Sequence, residues 1–375
     1  MDHWLLASYR QFLRPWLFLM DAEDAHNLGH KLLSAGAGVM ESAAVYLGVE
    51  NEVGTAAAPS SWSNLSLAGR PLHNPIGLAA GFDKNGKLLD GLASLGFGFV
   101  ELGSVTALAT SGNPRPRLFR LPADQALINR LGLNGDGAVN VASRLKHYQG
   151  QGFPLPVALN IAKSNKPWVV QEKAAEDVAF TFQNLRHLPF TYVVINTSCP
   201  NTHEGASFAA SELTMILKAV QGLNHEAARP LPIFLKLSPD SPESFLDILM
   251  PLARSFEVRG FITGNTTVSR SGLRTDAERL ATIGNGGLSG APLLTGTQTM
   301  VKEIVLRKEK EQEVIACGGI SQADDVETML KEGAKACQLY SALVYQGPFL
   351  VLALLQELKT RNQLRQSANS PAPFS

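Results

Sequence analysis

The chain has 375 residues, of which 45% are hydrophobic and 18% are charged, the balance of a folded protein with one large domain and a small one. Lys plus Arg equals Asp plus Glu at 33 each, so no overall field would attract nucleic acid, and no nucleic-acid partner is expected. The three cysteines, Cys199, Cys317 and Cys337, fit neither a disulfide framework nor a zinc pattern, which indicates a reducing compartment.

Residues 1–50 are predicted to form a helical domain. Apolar side chains near the start recur at the spacing of an amphipathic helix: Leu5, Tyr9, Phe12, Trp16 and Met20. Arg10 and Arg14 interrupt this stretch, and the start lacks a basic end, so no signal peptide is expected. The run 32–49 is apolar but contains Glu41 and several small residues, which favours a packed helix over a membrane span.

A second helix is predicted to start at Asp21, whose side chain can cap it. His26 and His30 then share a face of this helix. Two His at this spacing could bind a metal ion, but no third ligand is apparent nearby, and no metal site is predicted.

Residues 51–73 are predicted to be a linker, 74–366 the main domain and 367–375 a flexible tail rich in Ser and Pro. In the main domain, eight short apolar runs alternate with helix-length amphipathic segments. The runs begin at Pro75, Phe97, Pro156, Tyr192, Pro232, Arg259, Val314 and Ala336. Eight such repeats predict an α/β fold of the (β/α)8 TIM-barrel type; an open doubly wound sheet is the alternative, but no GxGxxG fingerprint follows the first run.

The run that begins at Tyr192, YVVINTSCPNT, passes from a buried strand to a cluster of polar groups. Among the side chains there, only the thiol of Cys199 titrates near neutral pH, with an ordinary pKa of about 8.5 that a nearby cation would lower. Cys199 is therefore the candidate base or nucleophile, and the alternative is a small buried hydrophobe.

Polar side chains stand at the carboxyl ends of nearly all the runs, where a TIM barrel assembles its site. They are Lys84, Ser104, Asn160, Asn196, Lys236, Asn265, Tyr340 and Ser341. Two glycine clusters, NGGLSG from Asn285 and CGGIS from Cys317, lie in the quarter of the barrel that usually holds a phosphate. The ligand is therefore predicted to carry a phosphate.

Eight segments together resemble dihydroorotate dehydrogenases, over about residues 65–358. The segments are AAGFDKNG from Ala79, RLFRL from Arg117, INRLGLN from Ile128, NTSCPNT from Asn196, GNTT from Gly264, GGLSG from Gly286, CGGI from Cys317 and QLYSAL from Gln338. The helical preface, with AEDAHNLGHKLL, resembles the extension of the class 2 enzymes, which reduce a quinone at a membrane. The resemblance implies oxidation of dihydroorotate to orotate in pyrimidine biosynthesis, with FMN as cofactor and a quinone as acceptor.

By this resemblance, each site residue receives an expected role. The FMN residues are Ala80, Gly81, Ser104, Asn160, Asn196, Lys236, Gly264, Gly290, Gly319, Tyr340 and Ser341. The substrate residues are Lys84, Asn129, Arg130, Leu131, Gly132, Leu133, Asn196, Asn201, Asn265 and Thr266, with Cys199 as the catalytic base. His26 and Arg120 match positions of the quinone site. The expected location is the cytoplasmic side of the cell membrane, as a peripheral protein, with the oligomeric state left open.

Three departures from the class 2 pattern keep alternatives open. Class 2 enzymes usually have Ser where this chain has Cys199, and Cys is typical of class 1 enzymes, which use fumarate or NAD. The loop HEGASF from His203 lacks the usual Pro-Gly, and Gly264 replaces a common Thr. Three alternatives therefore stay open: a class 1 enzyme, another FMN barrel that reduces pyrimidines, and a flavin-binding membrane protein without catalysis. An aldolase with a Schiff base on Lys236 is a further alternative, but only the strand position of Lys236 supports it.

Overall fold

The computed structural model describes residues 4–33, 37–52, 62, 64–197 and 210–369. Its centre is a closed barrel of eight parallel strands. In chain order these strands are β3 (Ile76–Leu78), β4 (Phe99–Val105), β7 (Val157–Ile161), β8 (Tyr192–Asn196), β9 (Ile233–Lys236), β10 (Gly260–Thr263), β12 (Glu313–Cys317) and β13 (Ala336–Leu339). Each pairs with the next, and β13 closes on β3 through Cys337 opposite Ile76, which confirms the predicted TIM barrel.

The strands are buried on both faces, which is why the sequence shows continuous apolar runs rather than alternation. Phe99, Tyr192 and Phe234 belong to one core cluster, inside the barrel. Val100 and Leu102, their neighbours on the opposite face of β4, belong to a second and larger core between the strands and the helices. The predicted runs extend past the strands by a few residues, because the polar residues at their ends lie in loops.

Helices cover the outside of the barrel. They are α5 (Leu89–Ala93), α6 (Ala138–Leu145), α7 (Glu172–Leu185), α8 (Ala210–His225), α9 (Glu243–Ser255), α10 (Ala277–Ile283), α11 (Leu294–Arg307), α12 (Ala323–Lys331), α13 (Ser341–Gln346) and α14 (Leu350–Asn369). Their apolar faces supply Val141, Phe182 and Ile216 to the outer core. Burial of such faces is the main favourable term in forming a barrel of this kind.

Two small sheets lie outside the barrel. A hairpin of β1 (Ser66–Leu67) and β2 (Arg70–Pro71) belongs to the predicted linker, and Leu67 packs into the interior cluster with Phe99. An antiparallel sheet joins β5 (Leu118–Leu121), β6 (Ala126–Asn129) and β11 (Gly287–Gly290). The periodicity of the sequence did not predict this second sheet, since its strands have only four residues each.

The N-terminal residues form helices, as predicted: α1 (Trp4–Ser8), a π-helical turn (Tyr9–Leu13), α2 (Arg14–Leu19), α3 (Ala22–Leu33) and α4 (Ala37–Tyr46). The Asp21 carboxylate caps α3 by accepting from the backbone N–H groups of Glu23 and Asp24 at 2.9 and 3.2 Å. Helix α4 packs into the outer core through Met40 and Ala44, as expected of a packed helix. In the described part of the chain, no helix combines the length and the apolar character needed to cross a bilayer.

Candidate active site

A large cavity opens at the carboxyl ends of the barrel strands and is roofed by the β5–β6–β11 sheet. The cavity is lined by most of the residues that the sequence predicted to bind cofactor or substrate. They are Ala80, Gly81, Lys84, Ser104, Asn129, Leu131, Gly132, Leu133, Asn196, Lys236, Asn265, Thr266, Gly290, Gly319, Tyr340 and Ser341. Residues separated by up to about 260 positions in sequence therefore meet here, because parallel strands bring their carboxyl ends to one rim.

Two cations, Lys84 and Lys236, line this cavity, and no Asp or Glu is among the described residues that do. Lys84 donates a hydrogen bond to the side-chain oxygen of Asn134. Lys236, the last residue of β9, is 4% exposed. Burial by itself would lower the pKa of Lys236, but the carboxylate of Glu101 outweighs it and raises the pKa above its ordinary value. The cavity therefore suits a ligand that carries negative charge.

Amide side chains form a chain of hydrogen bonds across the cavity. Asn196 donates from Nδ2 to the Ser104 hydroxyl at 3.1 Å and accepts at Oδ1 from Asn265 Nδ2, also at 3.1 Å. Asn265 in turn accepts the backbone N–H of Thr266 at 2.9 Å. Each amide offers both donors and an acceptor, so this row can recognise a planar ring of amides.

Glycines on two neighbouring segments let the backbone pack closely at one side of the cavity. Gly290 and Gly319 have positive φ angles of 110° and 77°. A Cβ at Gly290 would lie 2.4 Å from the carbonyl oxygen of Gln125, and one at Gly319 would lie 2.4 Å from the backbone nitrogen of Leu294. Beside them, the hydroxyls of Ser289 and Ser341 are 2.9 Å apart. Only glycine fits these positions, and the arrangement is typical of a phosphate cradle.

Three predicted site residues lie elsewhere than in the cavity wall. The Arg130 guanidinium donates to the carbonyls of Ile283, Asn285 and Pro116, and so supports the loops around the site. Asn160 is fully buried behind the wall, and Gly264 lies against the backbone of Cys317. Their predicted roles stay predictions.

The candidate base, Cys199, and the candidate substrate ligand Asn201 lie outside the described residues. Strand β8, which leads to them, ends at Asn196 inside the cavity. The roles of Cys199 and Asn201 therefore stay predictions as well.

A buried polar cluster behind the cavity was missed by the sequence reasoning. Glu101 on β4 is fully buried and accepts hydrogen bonds from Lys236, Asn160 and Gln338. The signal was present in the run FGFVELGSVT, where Glu101 is the one charged residue in a strand that is otherwise apolar. A charge in such a strand requires partners, because an unpaired buried carboxylate is strongly unfavourable.

A second cavity lies between helices α1–α4 and the barrel, and it adjoins the first. It is mostly apolar, and Leu118, Leu127 and Tyr340 line both cavities. His26 and Arg120, the predicted quinone residues, both line this second cavity. The Arg120 guanidinium donates to the carbonyl of Met20 at 2.9 Å and lies 4.7 Å from the centre of the Phe18 ring.

The histidines of α3 are held in their neutral form. Their rings have centroids 4.0 Å apart and both contact Phe82. Burial, with a contribution from His30 and Lys84, lowers the pKa of His26 to about 3, and burial also lowers the pKa of His30. A neutral imidazole has one donor and one acceptor, and each of these two rings also forms a hydrogen bond with the backbone of Phe82.

The family model described as dihydroorotate dehydrogenase matches residues 64–361, which is most of the chain. The chain belongs to the dihydroorotate dehydrogenase family. Among its curated relatives, dihydroorotate dehydrogenase (quinone) of Gloeobacter violaceus is 38% identical over 93% of both chains. The enzyme of the same name from Chloroflexus aurantiacus is 39% identical over 80% of this chain and 83% of its own.

Solved dihydroorotate dehydrogenase structures share the architecture. The ligand-free type enzyme of Eimeria tenella superposes with a TM-score of 0.73 at 29% identity, over 87% of this chain and 95% of that one. The same organism's enzyme in complex with ferulenol has a TM-score of 0.71 at 27% identity, over 91% and 92% of the two chains. The barrel is therefore shared with solved dihydroorotate dehydrogenases, and in this chain N-terminal helices accompany it.

Dihydroorotate dehydrogenases are FMN-dependent flavoproteins, and the residues present fit this cofactor. The glycine cradle suits the phosphate, and a lining with two cations and no acid among its described residues suits a ligand that is negative when reduced. The amide oxygen of Gln338, which lines the cavity, is buried and accepts no hydrogen bond from a described residue. An acceptor of this kind suits the ring N–H of an oxidised flavin, because buried polar atoms normally have a partner.

Proposed function

We propose that this dihydroorotate dehydrogenase oxidises dihydroorotate to orotate with FMN in the large cavity, and that a quinone is reduced in the adjoining one. The observation that carries the proposal is the pair of cavities itself, one cationic and rich in amides, one apolar, with Leu118, Leu127 and Tyr340 as their common wall. The names of the curated relatives, which are quinone enzymes, agree with it. When bound, FMN supplies a two-electron acceptor that both halves of the reaction share.

Substrate recognition is assigned to Lys84 and to the row of amides. Dihydroorotate is a ring of amides with one carboxylate, so it requires paired donors and acceptors and one cation. Lys84 at the cavity wall supplies the cation, and Asn129, Asn196, Asn265 and Thr266 supply the pairs, with Asn201 as a further predicted ligand. Leu131, Gly132 and Leu133 complete the wall over the ring.

Proton removal is assigned to Cys199. Oxidation takes a proton from carbon 5 and a hydride from carbon 6, and the double bond of orotate forms between them. A thiolate suits the first task, because its pKa lies closer to neutral pH than that of any other side chain in NTSCPNT. Lys236, held as an ammonium by Glu101, stabilises the negative charge that collects beside it.

Quinone binding is assigned to the second cavity. Its mostly apolar lining suits the ring and tail of a quinone, and His26 and Arg120, which are among the polar groups there, can hydrogen-bond to the two carbonyls. The neutral state of the His26 ring avoids placing a further buried positive charge near Lys84. Access from a lipid phase would follow the N-terminal helices.

Peripheral attachment to the cytoplasmic side of the membrane is part of the proposal. Helices α1–α3 expose large apolar side chains, among them Trp16 at 73% and Leu19 at 81%. Residues 1–50 carry three Lys or Arg against six Asp or Glu, so attachment would depend on apolar insertion and not on anionic lipid. Trp16→Ser should therefore weaken binding to neutral phosphatidylcholine vesicles. Trp168→Ser is the control and should leave binding unchanged, because the Trp168 side chain is 58% exposed but lies after β7 of the barrel and not in the helices.

The acceptor decides between this proposal and a class 1 enzyme, which Cys199 would also suit. Orotate formation is measured in parallel with a quinone, fumarate and NAD on the full chain. Quinone-dependent turnover well above the other two is the expected result. An enzyme that ignores quinones and turns over rapidly with fumarate would overturn the acceptor, and one that forms no orotate with any of them would overturn the substrate.

A further inference from the structure

Glu101 is a buried carboxylate one step behind the wall of the large cavity. It stands two residues after Phe99 on β4, so its side chain points into the barrel interior, and its exposure is 0%. Glu101 does not line the cavity, but two of its partners, Lys236 and Gln338, do. Anything that Glu101 does to a ligand therefore passes through these partners.

The partners of Glu101 satisfy both of its oxygens. The Lys236 ammonium lies 3.2 Å from each oxygen, Gln338 Nε2 donates to Oε2 at 2.6 Å, and Asn160 Nδ2 donates to Oε1 at 2.5 Å. Since a carboxylate can only accept, both amides turn their N–H groups to Glu101 and their oxygens away from it. Of those two buried oxygens, the one on Gln338 lies at the cavity wall, where a flavin ring could donate to it.

The charge of Lys236 depends on this carboxylate. Lys236 is almost fully buried, and burial disfavours an ammonium unless an opposite charge lies close to it. The structure places the Glu101 carboxylate there, and the pKa of Lys236 is raised although burial opposes this. Cys317 on β12 also faces Lys236, but burial raises the pKa of its thiol, so Glu101 is the group that carries the compensating charge.

We propose that Glu101 is a positioning residue that keeps Lys236 protonated in both redox states of the bound flavin, and so sets the pH dependence of the flavin midpoint potential. The proposal rests on the proposed FMN site. With Glu101 in place, Lys236 takes up no proton when the flavin is reduced. Without it, Lys236 is neutral beside the oxidised flavin and takes up a proton from solvent as negative charge appears on the reduced flavin.

The test is the midpoint potential of FMN bound to full-length protein between pH 6 and 9, for the parent and for Glu101→Gln. Within this range we expect the variant to show an added slope of about 30 mV per pH, because one extra proton per electron pair changes the constant tenfold per pH and a tenfold change is 29.6 mV for a two-electron couple. Glu313→Gln is the matched control: Glu313 is also buried, but it accepts from the Ala68 backbone N–H and from Arg259, away from the cavity. Its slope should equal the parent's.

Equal slopes in the parent and Glu101→Gln would overturn the proposal. A purely structural role of Glu101 would change flavin affinity or melting temperature without changing the slope.

If Glu101→Gln does not hold FMN, the midpoint potential of Glu101→Asp is measured instead. Its carboxylate is one methylene further from Lys236, so the added slope should appear at higher pH, and its absence up to pH 9.5 would overturn the proposal. A parent protein that binds no FMN would overturn the proposed function as well, whereas a parent that dihydroorotate reduces leaves that function standing whatever the slopes.

Discussion

In the barrel, two charged side chains, Glu101 and Lys236, are buried against each other, whereas in the N-terminal helices two large apolar ones, Trp16 and Leu19, are exposed. The barrel pairs its buried charges internally, because its strands meet all round and bring Glu101 and Lys236 into one interior. The helices have one face against the barrel and leave the other without a protein partner among the described residues. The proposal accordingly assigns dihydroorotate chemistry to the barrel and contact with an apolar phase to the helices.

The strongest way to separate the two regions is to remove the helices. Deleting residues 1–33 should reduce quinone turnover to background while dihydroorotate still reduces bound FMN, because the barrel cavity keeps its described lining. The cut stops before α4, whose Met40, Ala44 and Leu47 belong to the outer core, so a cut at residue 50 would damage the barrel itself. Stopped-flow flavin reduction and steady-state quinone assays check the two halves, with circular dichroism and bound FMN as controls. Retained quinone turnover would make the helices a structural cap.

The converse change removes the proposed base of the barrel and leaves the N-terminal helices unchanged. Cys199→Ala should keep FMN but slow its reduction by dihydroorotate about 10²- to 10⁴-fold, the usual contribution of a general base. Cys337→Ala is the control, since that thiol is buried in β13 and lines neither cavity. Cys199→Ser should retain weak activity that shifts to alkaline pH, because an alcohol is a weaker acid than a thiol. Near-normal flavin reduction in Cys199→Ala would remove Cys199 from the mechanism.

A smaller effect is expected from the cation of the substrate site. Lys84→Ala should weaken orotate binding about 30- to 5,000-fold, because truncating one partner of a buried charge pair costs about 2–5 kcal/mol. Lys87→Ala is the matched control, because the Lys87 side chain is 55% exposed and forms an ion pair with Asp136. Titration of the flavin absorbance with orotate measures both. Parent-like affinity in Lys84→Ala would show that another group binds the carboxylate.

The smallest effect concerns the joint between the two regions. Arg117, just before β5, donates hydrogen bonds to both carboxylate oxygens of Glu23 on α3, at 2.7 and 2.9 Å, and Arg115 donates a further one at 3.0 Å. The Arg117 side chain lowers the pKa of Glu23 from 4.5 to about 2. Since the folded pKa is depressed, the stabilisation is fully present above pH 4.5 and is lost as the pH falls through about 2.

Glu23→Gln should therefore lower the free energy of unfolding at pH 7 by about 1–2 kcal/mol, as expected for hydrogen bonds to charged groups, and this difference should shrink below pH 4.5. Asp24→Asn is the control, because Asp24 is half exposed and pairs only with Arg115 among the described residues. Thermal unfolding at several pH values measures both. A difference between parent and Glu23→Gln that does not change with pH would mean that packing, and not charge, joins the helices to the barrel.

Local patterns were sufficient to predict most of the architecture. Eight apolar runs with polar ends predicted the barrel, and the cap at Asp21 predicted the start of α3 within a residue. The cavity residues of loops, such as Lys84, Asn265 and Gly319, were found because parallel strands always bring their carboxyl ends together. These features depend on residues close in sequence and on one general rule of topology.

Other features depend on contacts between distant residues, and only the tertiary structure decided them. The partners of Glu101 come from strands up to 237 positions away, so the sequence showed a buried charge without its partner. The Arg130 side chain, expected at the substrate, instead supports the 283–285 loop, because three carbonyls converge there in space. The sequence by itself determined the barrel, its FMN chemistry and its family, because these follow from local pattern and motif. The sheet over the cavity, the ionic network behind it and the common wall of the two cavities follow from packing, which no local pattern encodes.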